Sequence, residues 1–205
     1  MEKIKGLCRY FSKCELLLWI LSSVTITVSF LVFDRENYLI LAASLIGVAS
    51  LLFNAKGNPF GQLFMVIFSV LYGIISYSFS YYGEMITYMG MTGPMALFAL
   101  VSWLKNPYKG KKSQVKVNSI SRREVWFTVL LTAVVTAVFY FILKYFETAN
   151  LFFSTLSVTT SFGAVYLTFR RSPYFALIYA LNDIVLIILW AYASLSDTTY
   201  LSVVI

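Results

Sequence analysis

No histidine occurs among the 205 residues of this chain. That absence removes Ser-His-Asp triads, HExxH metalloprotease sites and histidine proton relays together. Cysteine is almost as scarce. Cys8 and Cys14 are the only two and both lie in the basic N-terminal segment, so neither a disulfide framework nor a thiolate metal site is indicated. The sequence also lacks a GxxxxGK[ST] phosphate loop and a GxSxG nucleophile elbow. An enzyme is not expected, and no cofactor is called for. Charge is sparse as well: 12% of residues are charged and 60% are hydrophobic, where a soluble domain carries about 25% charged residues. A soluble core in so short a chain has no use for this much apolar surface, so the composition is that of an integral membrane protein. The net charge of +7 would suit nucleic acid, but the basic residues sit in loops beside apolar runs, where topology signals lie. No nucleic-acid partner is expected; the lipid bilayer is.

What the chain has in abundance is spanning-length apolar sequence. Seven segments follow one another, at about 16–33, 38–53, 60–82, 85–104, 125–146, 151–169 and 173–195. Each is near the roughly 20 residues that a spanning helix needs. The second is short, so it is expected to tilt little or to be extended at its ends. Residues 1–14 mix Lys3, Lys5, Arg9 and Lys13 with Ile4, Leu7 and Phe11, a spacing that allows a short interfacial helix. The run after it, Leu16 to Phe33, is long and lacks a small-residue cleavage site, so it reads as a retained span.

With the N-terminus in the cytoplasm, the N-terminal segment, Lys56, the 105–124 loop and Arg170–Arg171 share one side. Fourteen of the sixteen Lys and Arg residues then lie inside, with only Arg35 and Lys144 outside. Asp34, Glu36, Glu84, Glu147 and Asp197 mark the outer side. The positive-inside rule selects this orientation. The 105–124 loop, with its Gly110-Lys111-Lys112-Ser113-Gln114 core, reads as a polar, flexible linker between two halves.

The halves repeat. Gly47 to Phe53 reads like Gly163 to Phe169, and after a two-residue difference in the loops Pro59 aligns with Pro173, Ile74 with Ile188 and Ser80 with Ser194. Three spans plus a linking span return the second half to the same orientation, making a parallel repeat, an architecture in which transporters bind substrate between the repeats. A single membrane domain over 1–205 then has an N-terminal segment and extra span at 1–37 and a first three-helix repeat at 38–104. The basic loop and linker span occupy 105–147, and a second repeat occupies 148–205. Span 85–104 corresponds to a span beginning near Thr199, so the sequence is expected to stop at Ile205 inside an eighth helix.

Within the last full span, Asn182 and Asp183 sit side by side in apolar surroundings. A carboxylate at that depth costs about 2.5–3.5 kcal/mol on insertion scales, so it should face protein or a water-filled cavity. Tyr179 precedes Asp183 by four residues and shares its helix face. The facing helix of the first half offers Ser69, Tyr72 and Ser76 at helical spacing. For the serines, pocket lining and helix–helix packing are equal readings. Trp190 suits either the outer mouth or the interfacial belt, and the belt explains Tyr81, Tyr82 and Tyr88.

Tyr82-Gly83-Glu84-Met85, followed by Pro94-Met95 and by Trp103 before a basic loop, resembles the first repeat of the Pnu vitamin-transporter family. Tyr72 and Ser76-Tyr77 fit the same stretch, and the resemblance covers most of 38–205. It implies a fold related to the SWEET sugar transporters and a homotrimer in a bacterial plasma membrane. It also implies facilitated diffusion of nicotinamide riboside, a vitamin B3 precursor, trapped by cytoplasmic phosphorylation. The family's second-repeat signature, Trp-x-x-Trp-x-x-x-Asn/Asp, falls here on Ala176, Tyr179 and Asp183, with Phe175 as a neighbouring aromatic face. Its first-repeat Gln and Asn positions fall on Ala96 and Tyr88. These departures leave other ribosides or vitamins (a deoxynucleoside, thiamine, riboflavin) as alternative substrates, and a non-transporting membrane scaffold as an alternative class. Without histidine and with one membrane acid, uncoupled movement is expected.

Overall fold

The computed structural model describes residues 10–33, 35–78, 82–148 and 150–196. Helices α1 (Lys13–Phe33), α2 (Tyr38–Ala55) and α3 (Phe60–Ser78) come first. Next, α4 (Tyr82–Ile86) runs through a π-helical turn at Thr87–Thr92 into α5 (Gly93–Lys105). A hairpin of β1 (Pro107–Tyr108) and β2 (Lys111–Val115) precedes α6 (Arg122–Tyr145), α7 (Leu151–Phe169) and α8 (Phe175–Ser196). Counting α4 to α5 as one span, six helices are long and apolar enough to cross a bilayer, and α8 adds an apolar stretch from Phe175 to Leu189. Among the described residues, each of the seven expected segments corresponds to a helix. The expected eighth span, and Tyr81, lie outside the described residues.

The polarity runs opposite to that of a soluble bundle. Leu17, Val24, Leu130, Phe141, Ile184 and Ile187 are exposed, while Ser50, Asn54, Gln62, Ser69, Ser76, Thr168 and Asn182 are buried. In lipid, apolar side chains gain nothing by turning inward, so helices associate through small residues and interhelical hydrogen bonds. Between α2 and α3, Ser50 Oγ donates to the Gly61 carbonyl at 2.9 Å and Gln62 Nε2 donates to Asn54 Oδ1 at 2.8 Å. A Cβ on Gly61 would stand 2.2 Å from Asn54 Oδ1, so only glycine permits this approach. Between α5 and α7, Ala96, Ala99 and Ala164 are buried, and fully buried Trp103 donates its indole N–H to the Thr168 carbonyl at 2.8 Å. The linker helix α6 joins α7 through Thr136 and Thr159, 2.9 Å apart.

The turns after α2 and α7 are built alike. Asn58 N donates to Phe53 O and Gly57 N to Asn54 O; Ser172 N donates to Leu167 O and Arg171 N to Thr168 O. Each is a Schellman closure. Gly57 (φ 65°) and Arg171 (φ 60°) hold the left-handed position. Asn58 Oδ1 and Ser172 Oγ then accept from Phe60 N and Tyr174 N. This register pairs Phe53 with Leu167 and Pro59 with Pro173 without a gap. It corrects the expected pairing of Phe53 with Phe169, because closure of the turn, not the recurring Gly and Phe, fixes where each helix stops.

The 105–124 linker is ordered where it was expected to be flexible. Lys109 (φ 48°) and Gly110 (φ 76°) give the two positive φ values of a tight type I′ hairpin loop between β1 and β2. Val115 N donates to Gly57 O at 2.8 Å and Asn118 N to Arg171 O at 3.0 Å. The hairpin segment is therefore tied to both Schellman turns and straps the basic end of the bundle. Arg170 pairs with Glu124 beside it, and Lys56 pairs with Glu15 at 2.8 Å.

Candidate functional site

Two hollows share a wall. An inner cavity of about 290 Å³ lies between α3, the π turn, α7 and α8, close to the roughly 300 Å³ at which ligand pockets begin. A wider vestibule of about 740 Å³ opens at the basic end, under the hairpin. Leu51, Tyr179 and Asp183 line both spaces and so form the partition.

The α8 side of the inner cavity presents Tyr179, Asn182 and Asp183. Asn182 is buried, and its Oδ1 accepts from Thr160 Oγ1 at 2.7 Å and Ser161 Oγ at 2.9 Å. With that oxygen occupied, Asn182 presents its amide N–H groups as donors. Tyr179 meets Phe175 edge to face, with ring centroids 6.3 Å apart. Asp183 lines both hollows, surroundings of the kind a carboxylate within a span requires. Phe175 and Ala176 line only the vestibule, one turn further out. The side chain of Trp190 lies outside the described residues.

The opposing wall comes from α3 and the π turn. Phe68 and Tyr72 stack with centroids 5.6 Å apart, and Tyr72 and Tyr88 lie 4.3 Å apart. Tyr72 donates its phenol proton to Glu84 Oε2 at 3.0 Å. Glu84 was expected to mark the outer surface and Tyr88 to belong to the interfacial belt; both line the cavity instead. The π turn is the reason. It fits an extra residue into the helix, and Met89 packs on Gly73 beside it, so Tyr88 is set against Tyr72. Asp183 is thus not alone, since a second carboxylate stands within the bundle. Ser69 and Ser76 are buried and line neither hollow; Ser69 donates to the Met65 carbonyl and sits where Gly93 approaches. On these contacts Ser69 packs helices.

Sequence reasoning missed α7. Ser154, Ser157, Val158, Ser161 and Val165 all face the cavity at helical spacing. That signal was present in the cluster of hydroxyls inside an apolar span.

A lipid-facing helical bundle enclosing a polar and aromatic cavity near its middle is the layout of a small-molecule membrane transporter. The chain belongs to the nicotinamide mononucleotide transporter family, whose model matches residues 37–205. It is similar to the nicotinamide riboside transporter PnuC of Neisseria mucosa (strain ATCC 25996 / DSM 4631 / NCTC 10774 / M26). The two are 29% identical over 179 residues, 85% of this chain and 68% of that protein. A solved structure described as the vitamin B3 transporter PnuC superposes with a TM-score of 0.77 at 23% identity, over 95% of this chain and 87% of the other, and establishes the shared fold.

Proposed function

We propose that this chain carries nicotinamide riboside across a bacterial plasma membrane by facilitated diffusion. The observation that carries this reading is the lining of the inner cavity: two carboxylates, Glu84 and Asp183, three tyrosines and an amide, with no Lys or Arg among its described residues. Nicotinamide riboside is a planar cation joined to an uncharged sugar. Its ring suits Tyr72, Tyr88 and Tyr179, its charge suits the carboxylates, and its ribose oxygens suit the Asn182 amide. A nucleotide would add a phosphate of about −1.5 to −2 charge to a cavity already holding two acids. The riboside is therefore the better match of the two names attached to the family and its relative.

Alternating access supplies the mechanism. The recurrent Schellman turns support two parallel repeats, over 38–104 and 148–205, joined by the linker helix. Rocking one against the other would open the Leu51–Tyr179–Asp183 partition toward the vestibule while the far side closes. Phosphorylation in the cytoplasm would keep uptake running downhill. A homotrimer completes the reading, following the family resemblance, and native mass spectrometry of the detergent-solubilised protein checks it.

Proteoliposome uptake of labelled nicotinamide riboside, nicotinamide mononucleotide, thiamine, riboflavin and a deoxynucleoside tests the substrate. The riboside should enter fastest, and at a rate indifferent to an imposed pH gradient. Faster entry of any other compound reassigns the substrate. Proton-driven accumulation overturns facilitated diffusion, and no uptake at all favours a scaffold.

A further inference from the structure

We propose that the vestibule is a binding site for a phosphate monoester anchored by Arg171, and that its ligand class is the phosphorylated form of the carried riboside. Arg171 occupies the left-handed C′ position of its Schellman turn, φ 60°, a place where a side chain is disfavoured and glycine is usual. The matching turn after α2 has Gly57 there, φ 65°. An arginine held in a disfavoured backbone conformation points to a role for its side chain.

That side chain lines the vestibule, and its buried Nε finds no hydrogen-bond partner. Neighbouring Arg170 is paired with Glu124, and Lys56 with Glu15, but no salt bridge involves Arg171 among the described residues. Partial burial and the adjacent Arg170 hold the Arg171 pKa below the ordinary arginine value, the mark of a cation without its counter-ion. A guanidinium is suited to phosphate oxygens, which it can meet with two parallel N–H donors. Tyr108 and Phe175 offer aromatic faces for a base, and Gln114 adds a polar edge. Asp183 lies at the inner end of the same space, so an anion there would settle toward Arg171. The vestibule would thereby meet the trapped product while the two-carboxylate cavity excludes it. The choice of ligand rests on the riboside reading; the anion site does not.

The test uses the full chain in phosphatidylcholine nanodiscs, titrated by calorimetry with nicotinamide mononucleotide, ribose 5-phosphate, inorganic phosphate and nicotinamide riboside. The nucleotide should bind, and Arg171→Gln should weaken it at least tenfold while leaving riboside affinity unchanged. Arg171→Gly guards against misfolding: at a left-handed position it should raise the melting temperature and still abolish nucleotide binding. Nucleotide affinity equal to wild type in both variants overturns the proposal. Loss of nucleotide binding when phosphatidylglycerol is added overturns the soluble ligand in favour of a lipid phosphate at Arg171. If the riboside fails to bind but nucleotide binding depends on Arg171, the transport reading falls and the anion site stands.

Discussion

At the scale of single residues, the proposed function predicts that the two carboxylates decide what the inner cavity accepts. A charge inside a helical bundle is costly unless it has a counter-charge or water, and among the described residues Glu84 is met by the Tyr72 phenol and by no salt bridge. A cationic ring entering between Tyr72, Tyr88 and Tyr179 would offset both acids. Asp183→Asn and Glu84→Gln should therefore each slow riboside uptake about tenfold, near 1.4 kcal/mol, with assembly unchanged by size-exclusion chromatography. Wild-type rates in both variants would remove the carboxylates from the site. Asp183 was legible in the sequence because it interrupts an apolar run. Glu84 was not, because an acid at the end of a span beside a tight loop has the signature of a topology marker. Only the π turn, which no apolar period announces, turns Glu84 and Tyr88 inward. The α7 hydroxyls escaped notice for another reason: small polar residues are ordinary packing material between membrane helices.

At the scale of elements, stability is set where helices touch through backbone and polar atoms, since burial of apolar surface contributes little in lipid. The α2–α3 contact depends on Gly61 lying against Asn54. Gly61→Ala would drive its methyl into the Asn54 side chain and backbone, and overpacking of this kind costs about 1–3 kcal/mol. A fall in melting temperature in detergent checks it, and an unchanged value would mean that the two helices part freely. The α5–α7 contact depends on Trp103. Trp103→Phe keeps the ring but leaves the Thr168 carbonyl without its donor, at a cost of about 1–3 kcal/mol. Its expected signature is lower thermal stability with riboside affinity intact, because Trp103 lies on the vestibule side of the partition. The seven helices were readable from apolar length alone, with ends displaced by a few residues. The hairpin was not, because its lysine-rich strands have the composition of a solvated loop and are held by backbone bonds to Gly57 and Arg171.

At the scale of the whole molecule, the basic residues, the strap and the vestibule coincide, and that coincidence predicts which compartment each hollow should serve. The turns at Gly57 and Arg171 and the hairpin segment are hydrogen-bonded together, so Lys56, the 105–124 loop and Arg170–Arg171 must share one end of the bundle. With fourteen of sixteen basic residues assigned to that side, the positive-inside rule predicts insertion with this end in the cytoplasm. On the proposed function, the vestibule would then face the compartment where phosphorylated product accumulates. In a background with Cys8→Ser and Cys14→Ser, Gln114→Cys in the strap should resist a membrane-impermeant maleimide in intact cells and react after permeabilisation. Glu36→Cys, between α1 and α2 at the opposite end, should react without permeabilisation. The reverse pattern would place the vestibule outside, and Arg171 would then meet external anions instead of the product of uptake.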